Sequence, residues 1–252
     1  MNKTLKDKII QALIDQKEIF GDDLFGQPEV RDKQLNDKRK TVLLKNIKGK
    51  GEEEILLFED PKEEWENAKS LEELNDLIKD CTKCPLHKSR NKFVFGIGDP
   101  DADVMVVGEG PGAEEDKQGL PFVGRAGQLL TDILKAIKFE RDEVYIANIV
   151  KCRPPDNRTP FPDEMDTCLP YLRKQYELIQ PKLILCLGLT AAKGLLKTRE
   201  SLTSMRGKIY EFEDAKVMVT YHPAALLRNP NWKRPCWEDL KKFKQLYDEL
   251  VS

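Results

Sequence analysis

The sequence predicts an α/β fold of three layers: a central four-stranded parallel sheet with helices on both faces, plus an N-terminal extension. Three observations predict it. Four short runs, Asp103–Val107, Val144–Asn148, Leu183–Leu187 and Val217–Tyr221, have the nearly continuous apolar character of strands buried on both faces. Helical segments at roughly 126–138, 163–179, 189–197 and 236–250 separate and follow them, so strands alternate with helices. The first strand then runs into a glycine-rich turn, VMVVGEGPG, of the kind that faces a ligand at the carboxyl edge of a parallel sheet.

Residues 1–70 read differently. An amphipathic start (Ile9, Ile10, Leu13, Ile14) gives way to a polar, punctuated stretch, and KGKGEEE reads as a flexible charged connector. This extension is expected to be helical and polar, only partly ordered, and a place where a protein partner could dock. The folded domain is expected over residues 71–252. It opens with a helix at SLEELNDLIKDC, where Ser70 and Glu73 form a capping-box pattern ahead of Leu71, Leu74, Leu77 and Ile78.

The 252 residues are 40% hydrophobic and 34% charged, enough for a globular core, and the net charge of −2 announces no global attraction to a polyanion. Any nucleic-acid contact must therefore use local clusters of Lys and Arg. The N-terminus lacks the apolar core of a signal peptide, and no run approaches the ~20 apolar residues of a membrane span. A cytoplasmic monomer with no membrane contact is expected. In that compartment the six cysteines read as metal ligands, reactive thiols or core residues rather than disulfides.

The turn after the first strand is acidic. Glu109, Glu114, Glu115 and Asp116 come before the first Lys, at 117, and the Lys-Ser/Thr of a P-loop is missing. Carboxylates repel phosphate, so this loop holds something else. The carboxyl edge of the sheet also gathers Phe122, then Asn148 at the end of the second strand, and His222 after the fourth. An aromatic ring stacks on a flat ring. A side-chain amide offers one donor beside one acceptor, which matches the edge of uracil, a carbonyl oxygen beside an N–H. Backbone N–H groups and a histidine can stabilise negative charge growing on a carbonyl oxygen. Such a pocket suits a base turned out of a nucleic-acid stack.

Cys81 and Cys84 form a C-x-x-C pair before the sheet; Cys152 follows the second strand and Cys168 lies further on. Four thiolates from two places suit either Zn²⁺ or an iron–sulfur cluster. Cys186 reads as core, and Cys236 has no evident chemical role.

With CTKCP, GEGPGAEEDKQGLPFVGRAGQLL, NIVKCRPPDNRTP, the later Cys168 and HPAALLRNP in order, the chain from about residue 71 to 250 resembles the family-4 uracil-DNA glycosylases, the iron–sulfur type. The resemblance implies a [4Fe–4S] cluster, with zinc as the alternative, on Cys81, Cys84, Cys152 and Cys168. It implies that Phe122 stacks on uracil, Asn148 reads its edge, and Glu115 lies near the 5-position where a thymine methyl must be excluded. His222 would contact O2 together with backbone groups around Gly108, Glu109 and Gly110. Leu226, Leu227 and Arg228 would enter the duplex where the base has left.

Elsewhere in the superfamily the first motif reads G-Q-D-P-Y, with an Asp that helps activate water. Gly110 stands at that position here, so Glu109 is taken as the catalytic carboxylate beside His222. The KRRIH-like insertion of relatives that form a DNA adduct is missing after Asn148. The implied activity is hydrolysis of the N-glycosidic bond of uracil in single- or double-stranded DNA. Two rivals remain: a non-catalytic iron–sulfur protein that senses damage, and a glycosylase of the same superfamily with another base preference. Candidate phosphate contacts are Lys88, Arg90, Lys92, Lys151, Arg153, Arg158, Arg228, Lys233 and Arg234.

Overall fold

The computed structural model describes residues 63–251. Six strands, β1 (Ile97–Gly98), β2 (Val104–Gly108), β3 (Tyr145–Asn148), β4 (Leu183–Leu187), β5 (Ile209–Phe212) and β6 (Ala215–Thr220), make one sheet in the order β1-β3-β2-β4-β6-β5. The four apolar runs form its parallel centre, β3-β2-β4-β6. Two short antiparallel edge strands, β1 and β5, were not anticipated. β1 has two residues, one a glycine. β5 is mostly solvent-facing and joins β6 through a hairpin whose Glu213 takes φ 49.

Side chains alternate across the central strands as the pleat requires. Met105, Val107, Tyr145, Ala147, Ile184, Cys186, Val217 and Val219 enter one core. Val104, Val106, Ile146, Leu183, Leu185, Leu187 and Met218 enter the other. On the first face α1 (Leu71–Ile78) contributes Leu74 and Ile78. The second face receives Leu130 and Leu134 of the helix Arg125–Ala136 and Leu240 and Phe243 of the helix Lys233–Val251. Burying each such side chain stabilises the fold by roughly 1.5–3 kcal/mol. That is the predicted three-layer arrangement, and Cys186 is core as expected.

In chain order the remaining helices are α2 (Ala113–Gln118), α3 (Arg125–Ala136), α4 (Pro162–Ile179), α5 (Leu189–Leu196), α6 (Leu202–Met205), α7 (Pro223–Arg228) and α8 (Lys233–Val251). The Ser70 hydroxyl accepts from Glu73 N–H at 3.1 Å, which caps α1 as its pattern predicts. Residues 1–62 of the expected N-terminal extension lie outside the described residues. Residues 63–70, assigned to it from sequence, pack on the domain instead. Trp65 meets Tyr171 of α4 edge to face at 4.8 Å, and Ala68 is buried. Among the described residues no helix is long and apolar enough to cross a membrane.

Register places the carboxyl ends together: Gly108 pairs with Asn148, and Leu187 with Thr220. One rim thus receives the turn after β2, the last residue of β3 and the first residues after β6.

Candidate active site

A cavity of about 440 Å³ opens at this rim, and Glu109, Gly110, Glu115, Phe122, Asn148, His222, Arg158 and Arg228 are among its lining residues. The glycine at the end of β2 makes the close approach possible. A Cβ on Gly108 would stand 2.3 Å from Asn148 Oδ1 and 2.6 Å from Phe122 Cζ. No side chain fits there, and Asn148 and Phe122 converge because none is present.

Phe122 holds a left-handed backbone, φ 53, which is strained for a bulky residue. It is over-determined by packing. α3 runs directly beneath it, and a Cβ on Gly127 would stand 1.8 Å from Phe122 O. The ring is buried and lies 5.5 Å from the His222 ring at 30°. Gly127 went unnoticed in the sequence; a glycine inside the GRAGQLL helix pattern was the available signal.

Asn148 is 1% exposed, and its Oδ1 accepts no hydrogen bond from any described residue. A buried acceptor left unpaired costs about 1–3 kcal/mol. Asn148 stands on the cavity wall.

His222 ends the loop after β6 and caps α7: its Nδ1 accepts from Ala224 N–H at 3.1 Å. A backbone N–H can only donate, so Nδ1 is bare and the proton of the neutral ring sits on Nε2. Burial, with the nearby Arg228 charge adding to it and Glu115 opposing, pushes the imidazole pKa down to about 4. Near neutral pH this histidine is therefore an uncharged N–H donor. Gly188, at φ 91, makes room for it; a Cβ there would lie 3.2 Å from His222 Cβ.

Most of the acidic loop serves the scaffold. Glu115 Oε1 accepts from Val123 and Gly124 N–H, 2.9 Å each, at the amino end of α3. There a carboxylate satisfies donors that the helix leaves open. This clamps the segment that presents Phe122 while Glu115 still lines the cavity. Asp116 is fully buried and accepts from Asn91 N–H at 2.8 Å and from the Asn91 amide. Glu114 pairs with Lys117 at the surface. Glu109 is the remaining carboxylate of the turn, part-buried on the cavity wall.

Behind His222 lies a network that sequence reading missed. Asp239 Oδ2 accepts from Thr220 Oγ1 at 2.7 Å and from Arg206 Nε at 2.8 Å. Arg206 also donates to Tyr221 O–H at 3.0 Å and lies 4.2 Å from that ring, whose other neighbour is Trp232 at 4.9 Å. Cys236, without a role in the sequence, is buried here with its Sγ 3.4 Å from Thr220 Oγ1.

Two sequence expectations need correction. Leu226 was expected to enter the duplex, but it is 2% exposed and packs in the α3/α8 core; Leu227, 39% exposed, is the leucine that stands out of α7 beside exposed Arg228. Of the candidate phosphate contacts, four are already engaged, Arg153 among them through Nε to Asn157 Oδ1 at 2.8 Å. Lys151 is fully buried and donates to Gln175 Oε1; its pKa is lowered by burial to about 8. Arg90 donates to Cys81 O at 2.6 Å and Cys152 Sγ at 3.2 Å, and Arg158 pairs with Glu164. Lys88, Lys92, Arg228, Lys233 and Arg234 are exposed.

Cys81, Cys84, Cys152 and Cys168 share one neighbourhood: burial pushes the Cys84, Cys152 and Cys168 thiols up, Cys168 to about 12, and the neighbouring cysteines add to the rise. Among the described residues no group of three or more His, Cys, Asp or Glu side chains is arranged to hold a single metal ion. The donor chemistry nevertheless fits charged sulfur. Besides Arg90 on Cys152, Lys151 N–H donates to Cys168 Sγ at 3.3 Å, and Tyr171 O–H to Cys81 Sγ at 3.2 Å.

The model of the uracil DNA glycosylase superfamily matches residues 95–241. A type-4 uracil-DNA glycosylase of Pyrobaculum aerophilum is 48% identical over 181 residues, 69% of this chain and 92% of that protein. One from Thermotoga maritima is 46% identical over 178 residues, covering 69% and 93%. A third, from Archaeoglobus fulgidus, is 42% identical over 187 residues, covering 70% and 94%. The chain belongs to the type-4 uracil-DNA glycosylases of the uracil DNA glycosylase superfamily.

Proposed function

We propose that this protein removes uracil from DNA by hydrolysing its N-glycosidic bond, releasing free uracil and leaving an abasic site. The observation that carries the reading is the buried, unpaired Oδ1 of Asn148 on the cavity wall. The N3–H of uracil supplies the missing donor, and the other end of the amide donates to O4. Cytosine offers an acceptor at N3 and a donor at its amino group, so the same amide meets acceptor with acceptor and donor with donor. A buried mismatch of that kind costs roughly 10⁴-fold or more in rate. Thymine shares the uracil edge, and Glu115 closes the wall near the 5-position against its methyl.

As the bond to the sugar breaks, negative charge grows on the base, centred on O2, and positive charge on the sugar. The Nε2–H of neutral His222 donates to O2, which stabilises that charge by about 3 kcal/mol. Being uncharged already, the ring gives its hydrogen bond without surrendering a proton. Glu109, on the same wall, stabilises the cation-like sugar and orients the attacking water, as carboxylates do in glycoside hydrolysis. Phe122 stacks on the base and offsets by about 1–3 kcal/mol the cost of extracting it. Leu227 and Arg228 take the space it leaves.

The thiols of Cys81, Cys84, Cys152 and Cys168 are proposed to hold a [4Fe–4S] cluster, whose chemistry here is the cross-linking of two loops. Absorbance of the purified protein separates it from zinc. Single- or double-stranded uracil-containing DNA is the substrate, the protein acts as a cytoplasmic monomer, and residues 1–62 are left for a protein partner.

The test is an oligonucleotide carrying one uracil, with cytosine and thymine controls, scored for strand cleavage after alkali. Cleavage confined to the uracil strand supports the reading; its absence with fully loaded protein leaves a damage-sensing role for the same pocket.

A further inference from the structure

The segment between Cys152 and Cys168 carries an aromatic ring that the reading above does not use. Phe161 is 54% exposed, and the Arg158 guanidinium lies 3.9 Å from its ring centroid. That guanidinium is held along its edge by Glu164, through Nη1 to Oε2 at 2.8 Å and Nη2 to Oε1 at 2.7 Å. Glu164 is 2% exposed and also accepts the Phe161 N–H at 2.7 Å. A single buried carboxylate thus fixes both members of a cation–aromatic stack. Pro162 begins α4 immediately after the ring, and upstream Arg153 Nε donates to Asn157 Oδ1 at 2.8 Å. Arg158 and Thr159 line the base cavity, so the stack stands at its rim.

Protecting the ion pair would account for Phe161 covering Arg158, but not for a large aromatic surface left in water beside the cavity. With one face on the guanidinium, the exposure belongs to the rest of the ring. A DNA strand that delivers one extruded base to the cavity must bring its neighbouring bases past this rim. Every nucleobase has a flat face, so an aromatic platform binds it whatever its identity. A guanidinium behind the ring interacts favourably with its electrons and keeps it from swinging away.

We propose that Phe161, backed by Arg158, is a stacking platform for a base flanking the extruded uracil on the same strand. The proposal rests on the uracil-excision reading, and it assigns Arg158 to holding the platform rather than to binding phosphate. The segment that carries it lies between Cys152 and Cys168, the two cysteines proposed above as cluster ligands, which would hold the loop at both ends.

The test measures binding of the full chain to a single-stranded oligonucleotide by fluorescence anisotropy. Its uracil nucleotide carries a 2′-fluorine, which resists excision by destabilising the cation-like sugar. Inhibition by free uracil is measured in parallel. Phe161→Ala is expected to weaken oligonucleotide binding by about 5- to 100-fold, Phe161→Trp to restore it, and inhibition by free uracil to stay unchanged. Oligonucleotide binding by Phe161→Ala equal to that of the unaltered protein would overturn the proposal. So would an equal loss of affinity for free uracil, because Phe161 would then be a support of the pocket. The excision reading is tested separately on the unaltered protein: failure to release uracil, with oligonucleotide affinity still dependent on Phe161, would sink that reading and leave the platform standing.

Discussion

The ring of His222 lies over the ring of Phe122, 5.5 Å away and 30° from parallel, while a backbone N–H from Ala224 occupies its Nδ1. Phe122 lies in the loop region that follows β2 and His222 directly after β6, with β4 between the two strands. Both line the cavity, and the one remaining imidazole proton sits on Nε2.

The pH dependence has a defined sign. Because the His222 pKa is lowered to about 4, the neutral donor is already formed at pH 6 and above. His222 therefore contributes no inflection to kcat between pH 6 and 8, and activity falls as pH drops through about 4. His222→Gln lowers kcat by about 10²–10³-fold. The unfolded chain binds this proton near pH 6.5, so His222 lowers stability as pH falls from 6.5 toward 4. Urea titrations at several pH values should show a weaker acid loss in His222→Gln.

Asn148→Ala separates activity from stability. Substitution removes a buried acceptor that has no partner among the described residues, so the melting temperature should stay level or rise. Excision of uracil should fall by several orders of magnitude in single-turnover measurements. A melting temperature several degrees lower would mean that Asn148 is a structural residue.

Gly127→Ala should damage the fold and the cavity together. Its Cβ would overlap the Phe122 carbonyl, so either α3 or the strained Phe122 backbone must move. A loss of about 2–4 kcal/mol in urea unfolding is expected, and free uracil should bind more weakly in the variant.

Arg206→Ala leaves Asp239 buried without its cation. Their side chains are 13% and 8% exposed. Removing one partner of a buried pair costs about 3–5 kcal/mol. The excision rate should fall with it, since Thr220 and Tyr221, which lead into His222, both belong to this network. Unchanged thermal stability in Arg206→Ala would contradict this account.

The parallel centre of the sheet was legible because strands buried on both faces must be apolar at nearly every position, as Leu183–Leu187 is. The edge strands were not. Two residues at Ile97–Gly98 carry no period, and Ile209–Phe212 exposes most of its length. Asn148 could be read from the end of a predicted strand, His222 from its place just beyond one, and Phe122 from the loop that continues the first, and the structure brings all three to one cavity. The choice between Leu226 and Leu227 depends on which side of α7 packs inward, and a helix of six residues has too little sequence to show it. Charge misled for Lys151, Arg90 and Arg158, because their partners, Gln175, Cys152 and Glu164, lie far along the chain or on the opposite side of a turn.

The most direct test of the central claim, that the Asn148 amide reads uracil, is a titration of protein labelled with ¹⁵N at asparagine. The account predicts that the Asn148 side-chain resonances shift and saturate with free uracil and do not move with cytosine. Resonances unmoved by uracil, or moved equally by cytosine, would contradict it.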